Sequence, residues 1–501
     1  MRLCRLPTLV TCRLPAACVL HHSIGLHLVG SVLVVENSHS LKRGSIMRRH
    51  VRGAIAVAAA VAALVGVVGV AGAAPDTPAA PRDYGTPTSA ENKTCPFAGQ
   101  IPVSIPAVAA PAGTSLPGTA GLNLKEPSVP SSIYGELCMS REALADAKAG
   151  RPPAVLVLIH GITYGTHYWD FPYQPERYSA VNALIRHGYA TLNIDRIGHG
   201  RSDHPLSALT TTAAQAETIH QLISKLKQGA IGDVAFDHVT TVGHSYGSVI
   251  AWFESSLYND TDAVIATGYT DRVGAINAVP LILTGGPAAL DPVTADEPWA
   301  KDPGYLQVRQ GSRNIPALYH EPNADPAVIE KDNELANTVT VPELATFPAP
   351  EYTGMHKNIT IPTFTINGEF DTLVCGANQQ ECATDAGHDA SPQELEAAST
   401  RLREWEAPAH DSAACFRAAA VPDAGHDINL HLNAQQAFAQ IAYFADEASG
   451  VHGENVDGYR AGCRTQAPQL SDVLPETTRL VPPVPVDGVG TLGDPKGLPI
   501  G

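Results

Sequence analysis

The chain is short of bases: its 501 residues include 33 Lys and Arg against 50 Asp and Glu. Its first 73 residues hold eight of those bases and one acid, so the remainder carries 25 bases, 49 acids and a net charge of −24. A surface of that sign repels nucleic-acid phosphates and anionic membranes, which argues against polyanionic partners. Aromatic residues are sparse at 6%. The nine cysteines include no CxxC pair of the zinc-binding kind, which argues against a bound metal. An LPETT stretch at 474–478 resembles a cell-wall sorting signal, but no hydrophobic run or basic end follows it, so the match is fortuitous. What is present is 44% apolar content, ample for a globular core.

The long apolar run that does occur comes early. From Met47 the chain reads MRRHVRG and then AIAVAAAVAALVGVVGVAGAA: a charged start, an apolar stretch and a small-residue A-x-A site at Ala71 to Ala73. Residues 47–73 are expected to be a secretory signal, with an uncleaved membrane anchor over 53–73 as the alternative. Met47 is then a candidate start codon, and residues 1–46 have no recognisable role. The remaining six cysteines, Cys95, Cys138, Cys375, Cys382, Cys415 and Cys463, suit an exported, oxidised protein. The expected pairs are Cys95 with Cys138, Cys375 with Cys382, and Cys415 with Cys463.

Residues 74–91 form a Pro/Ala/Thr linker expected to be disordered, and 467–501 an extended Pro/Gly-rich tail. Strand-like runs at Gln100–Ile105 and Ser132–Met139 precede a regular pattern. Apolar runs at Ala154–Ile159, Ala190–Ile194, His238–Val242, Ala263–Thr267, Ile361–Ile366 and Cys415–Val421 alternate with helical stretches. Short buried strands separated by helices predict an α/β fold with a mostly parallel central sheet and helices on both faces. The stretch 268–358, rich in proline and acids and with a helix-like piece at Pro326–Thr338, is too long for a structureless loop. It is expected to be a cap or lid inserted after the sixth strand, splitting the core into 92–267 and 359–466.

The strongest chemical signal is VTTVGHSYGS at 239–248. Apolar β-branched residues lead into Gly243-His244-Ser245-Tyr246-Gly247, and VIAWFESSLY then reads as a helix. This is a G-x-S-x-G turn in a strand-turn-helix setting, which projects Ser245 at a helix N-terminus. A second element, His160-Gly161-Ile162, follows the strand VLVLI. Acyl transfer needs two N–H groups aimed at the developing oxyanion, and the backbone of Ile162 and Tyr246 are the candidates. His160 is expected to orient its loop.

With these two elements and the run Asp195-Arg-Ile-Gly-His-Gly-Arg-Ser202, the chain resembles the α/β-hydrolase family from about residue 131 to 450. The resemblance implies a triad in the order Ser, acid, His. Asp371, in the G-E-x-D pattern after IPTFTI, is the expected acid, with Glu369 and Asp271 as alternatives. The pentapeptide DAGHD occurs at 385–389 and 423–427. His388 precedes the helix signal Ser391-Pro-Gln-Glu394, whereas His426 directly follows the strand Cys415–Val421 and is the expected base. His388, His431 and His244 are read as solvated, packing or neighbouring residues, with a rim role near the substrate left open for His388.

The resemblance thus implies a serine hydrolase working through an acyl-enzyme with no cofactor, and the exported, acidic, capped character suggests an esterase or lipase acting on small or medium carboxylic esters outside the cytoplasm. Serine at the elbow argues against relatives resembling epoxide hydrolases, which use a carboxylate there. A peptidase of the same fold, in which Glu330 and Glu334 receive a substrate amine, remains open. So do a lactonase, a cofactor-free haloperoxidase-like activity and a binding protein on an inactive scaffold. Trp299, Tyr305, Tyr319 and Tyr352 either fill the cap's own core or line an acyl pocket.

Overall fold

A computed structural model describes residues 92–106, 128–271, 284–347, 354–375, 382 and 391–449. The signal segment, the linker, His388, Tyr352, Cys463 and the tail lie outside them.

The first two strands, β1 (Lys93–Pro106) and β2 (Ser128–Ser140), pair antiparallel and are tied together by the Cys95–Cys138 disulfide. Helix α1 (Arg141–Lys148), capped by Ser140, leads to β3 (Val155–Ile159), every residue of which is buried. Helices α2 (Pro175–Tyr178) and α3 (Ala180–Arg186) precede β4 (Ala190–Ile194), and α4 (Thr212–Lys227), capped by Thr211, precedes β5 (Val239–His244). Helix α5 (Tyr246–Tyr258) and β6 (Ala263–Thr267) follow.

The chain then makes a small antiparallel sheet of β7 (Gly285–Pro287), β8 (Tyr305–Val308) and β9 (Thr338–Thr340). Between β8 and β9 lies α6 (Pro326–Leu335), capped by Asp325, and after β9 comes α7 (Val341–Thr346), with a capping box between Thr340 and Glu343. Helix α6 stops at Leu335, short of the expected Thr338, because Thr338 is the first residue of β9. The main sheet resumes with β10 (Thr363–Gly368), α8 (Pro392–Glu406), β11 (Phe416–Val421) and α9 (Ala434–Ser449). The Ser391–Glu394 capping box expected from the sequence opens α8.

The eight-stranded sheet has the order β1-β2-β4-β3-β5-β6-β10-β11 and is parallel from β4 onward. Helices α3 and α9 pack together against it, and α4 and α5 pack together as a separate pair, giving the expected two-faced cover. Strands buried on both faces are continuous apolar runs, and β3, β4, β5 and β6 are buried throughout. The Cys375–Cys382 disulfide is formed as expected, and Cys415 is disulfide-bonded.

Parallel strands bring their C-terminal ends to one edge, where ligands bind in folds of this kind. Ser245, Asp371 and His426 leave β5, β10 and β11 at that edge. In the sheet these strands follow one another with only β6 intervening.

Candidate active site

Ser245 stands at φ 51° and ψ −118°, a backbone conformation that side chains other than glycine avoid. Its N–H donates to the Thr267 carbonyl of the neighbouring strand end (2.8 Å), and its side chain makes no capping bond to α5. The flanking glycines are required by contact. A Cβ on Gly243 would come within 2.4 Å of the Gly247 backbone, and one on Gly247 within 2.1 Å of the Ile159 carbonyl oxygen. The turn therefore holds the serine in a strained pose that local packing enforces.

The His160-Gly161-Ile162 loop lies directly against the nucleophile position, since a Cβ on Gly161 would meet the Ser245 Cβ at 3.2 Å. Neither the Ile162 nor the Tyr246 N–H finds an acceptor among the described residues. The loop is held from behind. The Arg196 N–H donates to His160 Nε2 (2.9 Å), and His160 Nδ1 donates to the Gly161 carbonyl (2.8 Å). Burial, with the Arg196 charge beside it, pushes His160 well below its ordinary value, so the imidazole is neutral and structural.

Arg196 itself donates to the carbonyls of His160 (2.9 Å) and Gly161 (3.1 Å). Its charge meets Glu343 Oε1 at 2.5 Å, and the same oxygen faces His199 Nε2 at 2.8 Å. Glu343 belongs to α7 of the inserted segment. Burial alone would raise this carboxyl, but His199 and Arg196 outweigh it and hold the group far below the usual carboxylate range. This carboxylate was not singled out by sequence reading, and its capping-box position was the available signal.

Asp371 Oδ2 lies 2.8 Å from His426 Nδ1. The other carboxylate oxygen, Oδ1, accepts from the backbone N–H groups of Leu373 (2.9 Å) and Val374 (3.2 Å). Both side chains are buried, and burial opposes a charge on His426. The Asp371 charge and hydrogen bond overcome that opposition, so the net shift of His426 is upward. The two loops are pressed together, because a Cβ on Gly368 would come within 2.1 Å of the Gly425 carbonyl oxygen. The alternatives point elsewhere: Glu369 Oε2 accepts from the Asp423 N–H (2.9 Å), and Asp271 Oδ1 faces His356 Nε2 (3.0 Å).

His426 is flanked by His244, expected as a neighbour, and by Tyr168, Tyr164, Asp427 and Asp332, which the sequence reading did not single out. The His244 ring lies 4.9 Å from it and stacks on Tyr168 at 4.1 Å. Burial, and then His426, keep His244 well below its ordinary value. Tyr164 donates to Asp427 Oδ2 (2.7 Å) and lies 3.2 Å from Asp332 Oδ2 on α6, to which Tyr319 also donates (2.7 Å). His431 is a staple: Nδ1 donates to the Asp427 carbonyl (2.9 Å), and Nε2 accepts from Gly425 and His320 (3.0 Å each). Glu330 is exposed, and Glu334 pairs with Lys331 on the same exposed helix face. Trp299 and Tyr305 pack with Ala288 and Ala300 in a small cluster, and Tyr319 sits in the main core.

A sequence profile of the alpha/beta hydrolase family matches residues 156–441, more than half of the chain. The chain belongs to this family. The hydrolase is 32% identical over 120 residues to epoxide hydrolase A of Mycobacterium tuberculosis, a match covering 24% of this chain and 33% of that protein. It thus spans about a third of that curated relative's length. Among solved structures, it is similar to a thermostable carboxyl esterase from Bacillus coagulans (14% identity, 63% of this chain, 94% of that chain, TM-score 0.40). It is likewise similar to a bromoperoxidase from Bacillus anthracis (17% identity, 63% of this chain, 96% of that chain, TM-score 0.37). In this alpha/beta hydrolase the site combines a serine on a strained elbow, two N–H groups beside it, and an imidazole whose Nδ1 pairs with an aspartate. That set can perform nucleophilic acyl chemistry.

Proposed function

We propose that the protein is a secreted serine hydrolase that cleaves carboxylic esters. The observation that carries the reading is the His426 Nδ1 to Asp371 Oδ2 contact of 2.8 Å on the loops beside the Ser245 elbow. Ser245 Oγ attacks the ester carbonyl carbon while His426 takes its proton, and Asp371 stabilises the imidazolium. The Ile162 and Tyr246 N–H groups stabilise the oxyanion. Collapse of the tetrahedral species expels the alcohol, which receives the proton from His426, and leaves the acyl group on Ser245. Water, deprotonated by His426, then releases the acid.

Export is supported by the signal-like segment 47–73, the Cys95–Cys138 and Cys375–Cys382 disulfides and the net charge of −24 after residue 73. No helix among the described residues is long and apolar enough to cross a membrane. The epoxide hydrolase likeness does not redirect the proposal, because Ser245 stands where such enzymes carry a carboxylate nucleophile. A peptidase reading loses support from the exposed, solvated positions of Glu330 and Glu334.

The test is a panel of p-nitrophenyl esters of rising chain length beside aminoacyl anilides. Ester turnover abolished by Ser245→Ala supports the proposal. Turnover of anilides alone, or ester turnover that survives the substitution, overturns it.

A further inference from the structure

A second cluster of chemistry-bearing side chains lies away from the elbow, where α4 packs against α5. His220 is on α4, Glu254 on α5, and Asp260 just past Asn259, whose left-handed conformation (φ 47°) turns the chain out of α5. His220 Nδ1 stands 3.1 Å from Asp260 Oδ2 and 3.6 Å from Glu254 Oε1. One donor atom from each residue lies within 4.8 Å of the other two. Donors held about 2.0–2.2 Å from a tetrahedral zinc ion are themselves about 3.3–3.6 Å apart, so these spacings are close to those of a loaded site.

Glu254 supplies an independent sign that something is held here. Its side chain is 0% exposed, yet Oε1 has no hydrogen-bond partner among the described residues, and neither has Asp260 Oδ1. A buried carboxyl oxygen left without a donor is costly. The nearby Lys227 ammonium donates to the Asp260 carbonyl oxygen. The His220 ring is fixed in plane by Tyr258, stacked at 3.6 Å and 11°, whose hydroxyl is anchored on Glu217. A cavity of about 400 Å³ lined by Glu217, Gln221 and Ser224 reaches one of the three donor residues, His220.

We propose that His220 Nδ1, Glu254 Oε1 and an Asp260 carboxylate oxygen bind a divalent cation, with water as fourth ligand. An imidazole with only two carboxylates suits zinc better than calcium or magnesium, which take more oxygen ligands. Glu254 lies nine residues beyond Ser245, roughly 13 Å along the helix, so the ion takes no part in acyl chemistry. It fastens α4 to the helix that carries the nucleophile, and its effect is on stability.

His244, His426 and Asp427 also bring three donor atoms within 4.8 Å of one another, at the reaction centre, so the test must separate the two groups. The mature protein is stripped with EDTA and titrated with Zn²⁺ by calorimetry and with Co²⁺ by visible absorption. The expected result is one equivalent bound at micromolar Kd or tighter, the absorption of four-coordinate cobalt, and a rise of roughly 5 °C in Tm at a hundredfold excess over Kd. His220→Gln and Asp260→Asn should each weaken binding about 100-fold, and His426→Ala should leave it intact. If His220→Gln does not fold, Asp260→Asn, at a partly exposed position, decides. Absence of stoichiometric binding, or binding that survives these substitutions, overturns the proposal, as does loss of binding in His426→Ala.

Discussion

Replacing Asp371 with asparagine changes one oxygen to an amide nitrogen, and the surroundings determine which one. Oδ1 accepts two backbone N–H groups, from Leu373 and Val374. An amide placed there would set donor against donor, so the asparagine carbonyl stays on that side and its NH₂ turns to His426. His426 Nδ1 must then accept, which puts the ring proton on Nε2, the nitrogen required to take the serine proton. The enzyme keeps its shape and holds the wrong tautomer. The same exchange in the well-studied serine protease triad costs roughly 10⁴-fold in kcat, or about 5 kcal/mol of transition-state stabilisation. A loss of that order is expected here, read as p-nitrophenyl ester turnover, with circular dichroism showing an unchanged fold. Glu369→Gln is the internal control: its carbonyl can still accept from the Asp423 N–H, so turnover should stay within a few-fold.

The pH profile gives a second readout. Activity needs neutral His426, and the Asp371 interactions outweigh burial to raise its folded value above the ordinary one of about 6.5. Turnover should therefore rise with pH through that elevated value. In Asp371→Asn burial is opposed only by the Asp427 charge, and the limb of any residual activity should move to lower pH. The raised value also stabilises the fold, fully so below the unfolded value, and that contribution is lost as pH rises through the folded one. An Asp371→Asn enzyme retaining more than a tenth of its turnover, or a Glu369→Gln enzyme equally impaired, would refute the assignment of the acid.

Three further outcomes are expected. His426→Ala should lose nearly all ester turnover while His388→Ala keeps most of it, compared by kcat/KM on one substrate. Glu343→Gln leaves the buried Arg196 charge without its partner, so urea unfolding should show a loss of about 3–5 kcal/mol. That stabilisation is present above the ordinary carboxylate range and is lost as pH falls through the depressed folded value. Gly247→Ala places a methyl 2.1 Å from the Ile159 carbonyl oxygen, a backbone atom with little room to yield. A destabilisation of about 1–3 kcal/mol or more is expected in the same unfolding assay.

The central sheet was legible because doubly buried strands read as unbroken apolar runs. The expected Ala190–Ile194 and Ala263–Thr267 match β4 and β6 residue for residue. The small sheet was not legible: β7 and β9 are three residues long, too short for a period of two to register, and β7 is Gly-Gly-Pro. The elbow and the order of Ser245, Asp371 and His426 could be read from local motifs and chain order. Asp371 was the expected acid from its G-E-x-D pattern, and in the structure it contacts His426 while Glu369 and Asp271 face other partners. The Tyr164, Asp332 and Asp427 network lay hidden because its members are spread along the chain on three different segments, and a lone tyrosine or aspartate carries no local pattern.

The chain leaves the sheet at Thr267, the C-terminal end of β6, and re-enters at Thr363, the N-terminal end of the parallel neighbour β10, which pairs with Val264. The entropy of closing such a connection grows only with the logarithm of its length, so a longer or shorter segment changes it little. The hydrolase could therefore exchange this segment for another without disturbing strand register. One residue limits that freedom. Glu343 comes from the segment and neutralises Arg196, which grips the loop offering Ile162. A transplanted segment lacking an acid at that point would leave a guanidinium stranded in the interior. The first casualty would be the loop at the reaction centre, so new specificity could be installed here only by keeping that single carboxylate.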